Sequence, residues 1–464
     1  MTRWYAAGML TEFRSVDPSS GRLVLERPEA SASEVDAALT RSAAAFRAWS
    51  EEPIATRAAS LRRLGATLRA RAERDGMLMA EEMGKPVAQG KAESEKCALA
   101  CEHAAEHAAA WLAPEPVPTE ARASYVRHDP VGPILAIMPW NFPFWQLFRF
   151  GASALAAGNT IVLKHAPNVP RCAEAIVAAC AEADLPEGLI LSLFARVDQL
   201  PGVIADDRIA AVTLTGSTRA GKTVAELAAR ALKPSVLELG GSDAFIVLAD
   251  ADLDQAAEVA ARARLLNNGQ SCIAAKRFIV ERAVADDFVE RFRSALAAHR
   301  VGDPRDPTTQ VGPMARRDLR DELAGQVARS VAAGARVLLG AEAPARDGWW
   351  YPPTLLLGAG PGMAVWDEET FGPAAAVHVV EDARAAVRAA NASPFGLGAA
   401  VWTADREQGA RMAVELRCGA VFVNDLVRSD PRMPFGGTKQ SGWGRELGRE
   451  GMLELTDTKS VWIS

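Results

Sequence analysis

The 464-residue chain has little that would tie it to a membrane, to nucleic acid or to an oxidising compartment. No apolar run approaches the roughly 18 residues that cross a bilayer. The opening segment, Met1-Thr2-Arg3-Trp4-Tyr5-Ala6-Ala7-Gly8, lacks the apolar stretch of a signal peptide. A net charge of −6 leaves no basic excess to replace phosphate counterions, which speaks against general nucleic-acid binding. The six cysteines, at 97, 101, 172, 180, 272 and 418, form no CxxC pair, so neither a disulfide framework nor a zinc ribbon is indicated. Cys97, Cys101, His103 and His107 do crowd one helical stretch. At about 100° per residue, however, the cysteines share a face that the histidines do not, so the four cannot converge on one tetrahedral metal. Internal repeats and low-complexity tracts are also lacking. A soluble, cytoplasmic protein without a metal is expected.

What is present is an ordinary globular composition, 49% hydrophobic and 24% charged. At about 150 residues per domain the length allows three units, or two large ones with an appendage. A helical, Ala/Arg/Glu-rich scaffold runs from about Ser33 to Ala113, broken at Pro53 and at Gly84-Lys85-Pro86. Pro114-Glu115-Pro116-Val117-Pro118 stops it, and the stretch to Asp129 alternates like an extended, projecting hairpin. Apolar strands at Ile134–Met138, Thr160–Leu163, Ile190–Phe194 and Ala210–Thr215 then alternate with helices after Pro143 and at Pro170–Ala183. A second series follows at Phe245–Leu248, Phe278–Val280, Arg336–Leu339, Ala374–Val379 and Ala420–Val423. This alternation predicts two doubly wound α/β units whose ligands bind at the carboxyl ends of the strands.

Two residues point to covalent chemistry. Cys272, in Asn267-Asn268-Gly269-Gln270-Ser271-Cys272, is a lone thiol among glycine and small polar residues. Glu238, in Leu237-Glu238-Leu239-Gly240-Gly241, is a carboxylate beside two glycines. A thiol nucleophile with a water-activating base fits the pair. Pro139-Trp140-Asn141-Phe142-Pro143 follows a strand, where the Asn141 amide is placed either to donate to an oxyanion or simply to tie the turn. A rival comes from Gly216-Ser217-Thr218-Arg219-Ala220-Gly221-Lys222-Thr223, which matches the phosphate-loop pattern of nucleoside triphosphatases at every position. Phe245–Asp250 would then serve as its acidic strand, but Cys272 and Glu238 would have no role.

Taken in order, Pro139–Pro143, Lys164, Gly216–Gly221, Leu237–Gly241, Gly269–Cys272, Glu369-Thr370-Phe371-Gly372-Pro373, Asn424 and Phe435–Gly442 resemble the aldehyde dehydrogenase superfamily over nearly the whole chain. The resemblance implies a Rossmann-like cofactor domain at 1–112 and 130–240 and a catalytic domain at 241–440. It also implies a small β oligomerisation arm at 113–129 and 454–464, a return segment at 441–453, and a homodimer or homotetramer whose arms pair between subunits. Cys272 would attack an aldehyde, Asn141 and the Cys272 amide would hold the oxyanion, and Glu238 would activate the water that hydrolyses the thioester. Lys164 and Glu369 would hold ribose hydroxyls and Gly216 and Ser217 would face the pyrophosphate. Pro139, Trp140, Leu239 and Phe371 would line the cofactor cleft.

Two departures from the family pattern bear on specificity. Where NAD-preferring members commonly carry a glutamate three residues after the lysine, this chain has Pro167, so NADP should be accepted, alongside or instead of NAD. Where an aromatic residue often lines the entry tunnel, eight positions after Asn141, it has Arg149. Phe142, Trp145, Gln146 and Arg149 fall on one helical face, where a guanidinium would grip a substrate carboxylate unless a structural salt bridge occupies it. Leu163–Pro170 and Leu239–Asp243 further resemble the short bacterial succinate-semialdehyde dehydrogenases, with Arg428, Ser429 and Phe435 as further substrate candidates. A semialdehyde is the expected partner, with glutarate semialdehyde or an uncharged aldehyde as alternatives.

Overall fold

A computed structural model of the chain describes residues 13–464. The opening segment and the first twelve residues of the expected cofactor domain lie outside that range.

Two sheets organise the molecule. In the first, the strands run Gly442–Trp443, Ser235–Glu238, Ala211–Thr215, Pro133–Met138, Thr160–His165 and Ile190–Ser192 from edge to edge. All neighbours are parallel except the Gly442–Trp443 edge. Every residue of Thr160–His165 and all but one of Pro133–Met138 is buried, because helices cover both faces and leave no solvent side for an alternating pattern. Chain order reverses on either side of Pro133–Met138, so the Pro139–Pro143 loop emerges at a topological switch point.

The second sheet orders Arg336–Leu339, Thr354–Leu357, Ala374–Val380, Ala275–Glu281, Asp243–Val247, Gly398–Trp402 and Ala420–Val423, antiparallel only at its first pair. Its apolar interior is built from Phe245, Phe278, Phe288, Phe292 and Trp402. The sequence pattern missed Thr354–Leu357, Gly398–Trp402 and Ser235–Glu238, which are only four or five residues long. A three-stranded sheet joins Glu115–Pro116, Ala123–Pro130 and Thr456–Ile463. The C-terminal strand pairs antiparallel with the arm of its own chain through eight residue partners, Thr456↔Pro130 to Ile463↔Ala123.

The helix Val87–Trp111 packs across Trp145–Ala157, and all thirteen residues of the latter are buried. That helix starts at Trp145 rather than at Pro143, so Phe142 lies in the turn before it. Its first amides are satisfied from outside: Glu93 Oε1 accepts from Phe144 N at 2.9 Å and from Trp145 N at 3.0 Å. Among the described residues no helix is long and apolar enough to cross a membrane.

Candidate active site

The site forms where the carboxyl edge of the first sheet meets the amino edge of the second. Asn141, Lys164, Gly216 and Glu238 stand at or just beyond the carboxyl ends of first-sheet strands, whereas Cys272 and Glu369 precede the second-sheet strands Ala275–Glu281 and Ala374–Val380.

The nucleophile loop is held in an unusual backbone conformation. Asn267, Asn268 and Gly269 have φ of 54°, 58° and 75° in succession. Asn267 and Asn268 tolerate this region because their short amides bond locally or across the loop. Asn267 Nδ2 donates to Asn141 O at 2.7 Å and to Gln270 O at 3.0 Å. Asn268 Nδ2 donates to Gly84 O at 2.8 Å and Pro313 O at 2.9 Å, while its Oδ1 accepts from Gly312 N at 2.7 Å. At Gly269 a Cβ would lie 2.4 Å from the Gly372 carbonyl carbon, so no side chain fits. On the far side of Cys272, buried Lys276 donates to the carbonyls of Ser271, Cys272 and Ala274 at 2.9, 2.7 and 3.1 Å.

The glycines after Glu238 allow this loop to come close. A Cβ on Gly241 would sit 2.6 Å from Cys272 O, and one on Gly240 would sit 2.4 Å from Glu369 Oε2. Glu369 accepts from Gly241 N at 3.0 Å and lies 3.9 Å from Lys276 Nζ. The ribose-binding candidate is thus already bonded to the strip that joins base to nucleophile. Trp140 and Phe371 meet edge to face, with ring centroids 5.7 Å apart.

Among the described residues neither oxygen of the buried Glu238 carboxylate has a well-formed hydrogen bond, the Gly437 backbone N–H being only a weak neighbour. Burial pushes it up to about 8; Arg149 opposes the shift and Glu446 reinforces it. Cys272 keeps an accessible edge, but the surrounding protein pushes its thiol up to about 12, against the pull of Arg149 and Lys276. Burial thus favours the thiol over the thiolate that adds to a carbonyl, so a base beside Cys272 would assist its attack. Asn141 donates one Nδ2 hydrogen to Gln270 O at 3.1 Å, which leaves its second for an oxyanion.

Arg149 forms the structural salt bridge that is the alternative to a carboxylate-gripping role. Its Nε is ion-paired with Glu446, and Nη2 donates to Thr215 Oγ1 at 3.3 Å and lies 3.9 Å from Glu238 Oε2. Nη1 has no partner among the described residues. The guanidinium lies 4.6 Å from the Phe435 ring centroid, and Phe435 exchanges backbone bonds with Glu446. Trp145 and Ser429 meet, with Trp145 Nε1 donating to Ser429 Oγ at 3.1 Å. Gln146 is buried with Oε1 unpartnered, and the Phe142 ring sits under Lys85 Nζ at 3.9 Å. Arg428 is not brought in: it is exposed and paired with Asp425 at 2.6 Å. Sequence reasoning missed Glu446, Lys276 and Lys96. The first two lie outside any spacing pattern, and Lys96 sits in an unremarkable helical stretch.

The residues present suit a dinucleotide. Buried Lys164 has no hydrogen-bond or carboxylate partner among the described residues; a phosphate or ribose would supply one. A Cβ on Gly221 would meet Leu239 Cδ2 at 2.4 Å, so this glycine serves close packing of helix on sheet. The triphosphatase alternative fails on the same segment. The helix Thr218–Arg230 begins directly after Gly216-Ser217, Gly221 N bonds to Ser217 O within it, and exposed Lys222 stands a turn inside. No extended loop remains to wrap a triphosphate, and Asp250, the supposed metal ligand, accepts from Thr403 and Asp405 beside the other sheet. The Cys97/Cys101/His103/His107 quartet also does not assemble. The cysteines are buried, while His103, Glu106 and His107 group at the surface with ligand atoms within 4.8 Å of one another.

Comparison with known proteins agrees with this geometry. The aldehyde dehydrogenase family model matches residues 4–461. The chain is 48% identical to an Escherichia coli (strain K12) succinate semialdehyde dehydrogenase [NAD(P)+], covering 97% of each chain. It is 45% identical to succinate-semialdehyde dehydrogenase [NADP(+)] 1 of Mycobacterium tuberculosis (strain H37Rv), over 97% of this chain and 99% of that one. The crystal structure of succinic semialdehyde dehydrogenase from Streptococcus pyogenes, in complex with NADP+, superposes with a TM-score of 0.95 at 33% identity, covering 97% of this chain and 99% of that one.

The nucleophile loop should not tolerate a methyl group at its tightest point. Gly269→Ala is expected to cost at least about 2 kcal/mol in a urea unfolding titration, through positive φ and contact with Gly372. An unfolding midpoint equal to that of the parent protein would show that the loop is not constrained as described.

Proposed function

Because the chain belongs to the aldehyde dehydrogenase family, we propose that it oxidises succinate semialdehyde to succinate, with NADP or NAD as hydride acceptor. The observation that carries this reading is a thiol and a buried carboxylate, Glu238, set beside a buried arginine with one arm unbonded among the described residues. The curated relatives named above act on the same aldehyde.

In this mechanism the Cys272 sulfur bonds to the aldehyde carbon as its proton passes to a base, for which ionised Glu238 is the neighbouring candidate, and Glu238 releases that proton to solvent before the hydrolytic step. The second Nδ2 hydrogen of Asn141 and the Cys272 N–H hold the resulting oxyanion. When bound, the nicotinamide would supply the hydride acceptor that allows this oxyanion, held by Asn141 and the Cys272 N–H, to collapse to a thioester. Glu238 then takes a proton from water, and the water oxygen displaces Cys272 to give the carboxylic acid. A base whose pKa lies near the working pH is suited to both tasks. Lys276 and the left-handed loop fix the sulfur's position, and Arg149 keeps Glu238 ionisable despite its burial.

We assign the cofactor to the domain formed by 1–112 and 130–240, with Lys164 and Glu369 toward the riboses, Gly216 and Ser217 toward the pyrophosphate, and Pro139, Trp140, Leu239 and Phe371 along the cleft. The catalytic domain is 241–440, with 441–453 returning to hold Glu446. The arm, 113–129 with 454–464, joins a homodimer or homotetramer: its C-terminal strand is a sheet edge, and Val117, Trp462 and Ile463 are exposed. The free thiols suit a cytoplasmic enzyme.

Three measurements test these assignments. Glu238 accepts a proton only when ionised, so turnover should climb as pH rises through about 8 and level off above it. Glu238→Gln should abolish that rise and accumulate acyl-enzyme; an unchanged profile in the variant would exclude Glu238 as the base. In a panel of mono- and dicarboxylic semialdehydes and butanal, kcat/KM should favour succinate semialdehyde over butanal at least tenfold, and a higher value for glutarate semialdehyde would change the named substrate. With both cofactors assayed, NADP should be accepted, and Lys164→Met should weaken NADP more than NAD; strong discrimination in favour of NAD by the parent enzyme would refute the role given to Pro167 and Lys164.

A further inference from the structure

Lys96 belongs to none of the motifs above. It lies on the helix Val87–Trp111, half-buried, with Nζ donating to Ser429 Oγ at 2.8 Å and sitting 4.2 Å from the Trp145 ring centroid. Trp145 Nε1 donates to the same oxygen at 3.1 Å. The Ser429 hydroxyl therefore accepts twice, and its own hydrogen has no acceptor among the described residues.

Nor does Lys96 have a carboxylate within ion-pair distance among the described residues. Glu93, one turn back, is committed to Lys85 and to the amides of Phe144 and Trp145. Asp430 is held by Arg432 through Nε at 2.8 Å and Nη2 at 2.7 Å. Across from Lys96, Arg149 adds a like charge, itself offset by Glu446. Cation–π contact with Trp145 steadies an ammonium but does not neutralise it. The wall thus offers the Lys96 ammonium, the Ser429 O–H and the Nη1 arm of Arg149, and what it lacks is an anion.

We propose that Lys96 is the counter-ion for the terminal carboxylate of the semialdehyde, receiving it together with Ser429 and Arg149. This rests on the function proposed above and adds the residue that sets preference for carboxylate-bearing aldehydes. No bond is made or broken at Lys96; it is a specificity residue. The charged and titratable groups facing it are Cys97 and Glu93 on its own helix, Arg149 on the adjacent helix and Asp430 on the loop that carries Ser429. Burial, then Arg149, pushes the ammonium down to about 8. Because only the protonated lysine attracts a carboxylate, recognition should be full below about pH 8 and fade above it.

The test compares parent enzyme, Lys96→Met and Lys96→Arg at saturating NADP, with succinate semialdehyde and butanal from pH 6.5 to 9.5. Lys96→Met should raise KM for succinate semialdehyde at least tenfold and leave kcat within about twofold. Butanal turnover should be unchanged, which also shows that the variant folds. The ratio of kcat/KM between the two aldehydes cancels the shared dependence on Glu238. That ratio should fall above pH 8 in the parent, stay level in Lys96→Arg and be low throughout in Lys96→Met. Succinate binding, measured by calorimetry, should be lost in Lys96→Met alone. Equal effects on both aldehydes, with succinate binding retained, overturn the role of Lys96 while leaving the proposed function intact. A parent enzyme that does not prefer succinate semialdehyde over butanal overturns both.

Discussion

The site depends on one buried guanidinium. Arg149 pairs with Glu446 and faces Glu238, three charged groups that water scarcely reaches. Two carboxylates in such a place would both be driven to their neutral forms by desolvation and mutual repulsion. The arginine keeps one paired and the other within reach of ionisation. It also ties the chain together. Glu446 exchanges backbone bonds with Phe435, the Phe435 ring covers the guanidinium, and the same returning segment places Gly442 against Glu238 as an edge strand. Removing one partner of a buried pair typically costs about 3–5 kcal/mol. The position of Glu238, its acidity and the closure of the first sheet therefore share a single support.

Backbone geometry supplies the second constraint. Glu238 belongs to the first sheet and Cys272 to the loop before a strand of the second, and the two segments meet only because both sides have given up side-chain volume. Gly240 and Gly241 admit Glu369 and the Cys272 carbonyl; Gly269 admits Gly372. The left-handed run through Asn267 and Asn268 turns the chain so that the amide of Asn141 and the loop beside Cys272 face one another, with Asn267 bridging them. Asn141 and the loop that carries Cys272 are thereby parts of one hydrogen-bonded unit, which limits how far ligand binding can displace either.

Much of this was legible in the sequence because the relevant signals are local. Fully apolar strands with helices between them announced the parallel sheets, and a thiol and a carboxylate beside glycines announced the chemistry. What stayed hidden was pairing at a distance. Glu446 contacts Arg149 from almost three hundred residues away, and nothing in its own neighbourhood signals a buried partner. The state of the thiol was hidden for the same reason, since desolvation depends on everything packed around it. The phosphate-loop match shows the opposite failure. All its residues are present, yet its meaning turns on where the helix begins, and that is settled by the sheet that receives it.

A count of unpaired charge then separates the two ligands. Most buried cations at the junction are spoken for: Lys85 by Glu93, Arg149 by Glu446, Lys276 by three carbonyls and Glu369. Among the described residues Lys164 and Lys96 have no carboxylate partner, each is partly or wholly withdrawn from water, and each is pushed down to about 8 by burial. An unpaired ammonium in such a place costs stability unless a ligand completes it. One stands at the carboxyl end of a first-sheet strand, where dinucleotides bind, and the other beside Ser429 and Trp145 near Arg149. Two anions are therefore called for, at two places, with Glu238 and the thiol belonging to neither. A phosphate-bearing cofactor and a carboxylate-bearing aldehyde meet that requirement together, and an uncharged aldehyde would leave half of it unmet.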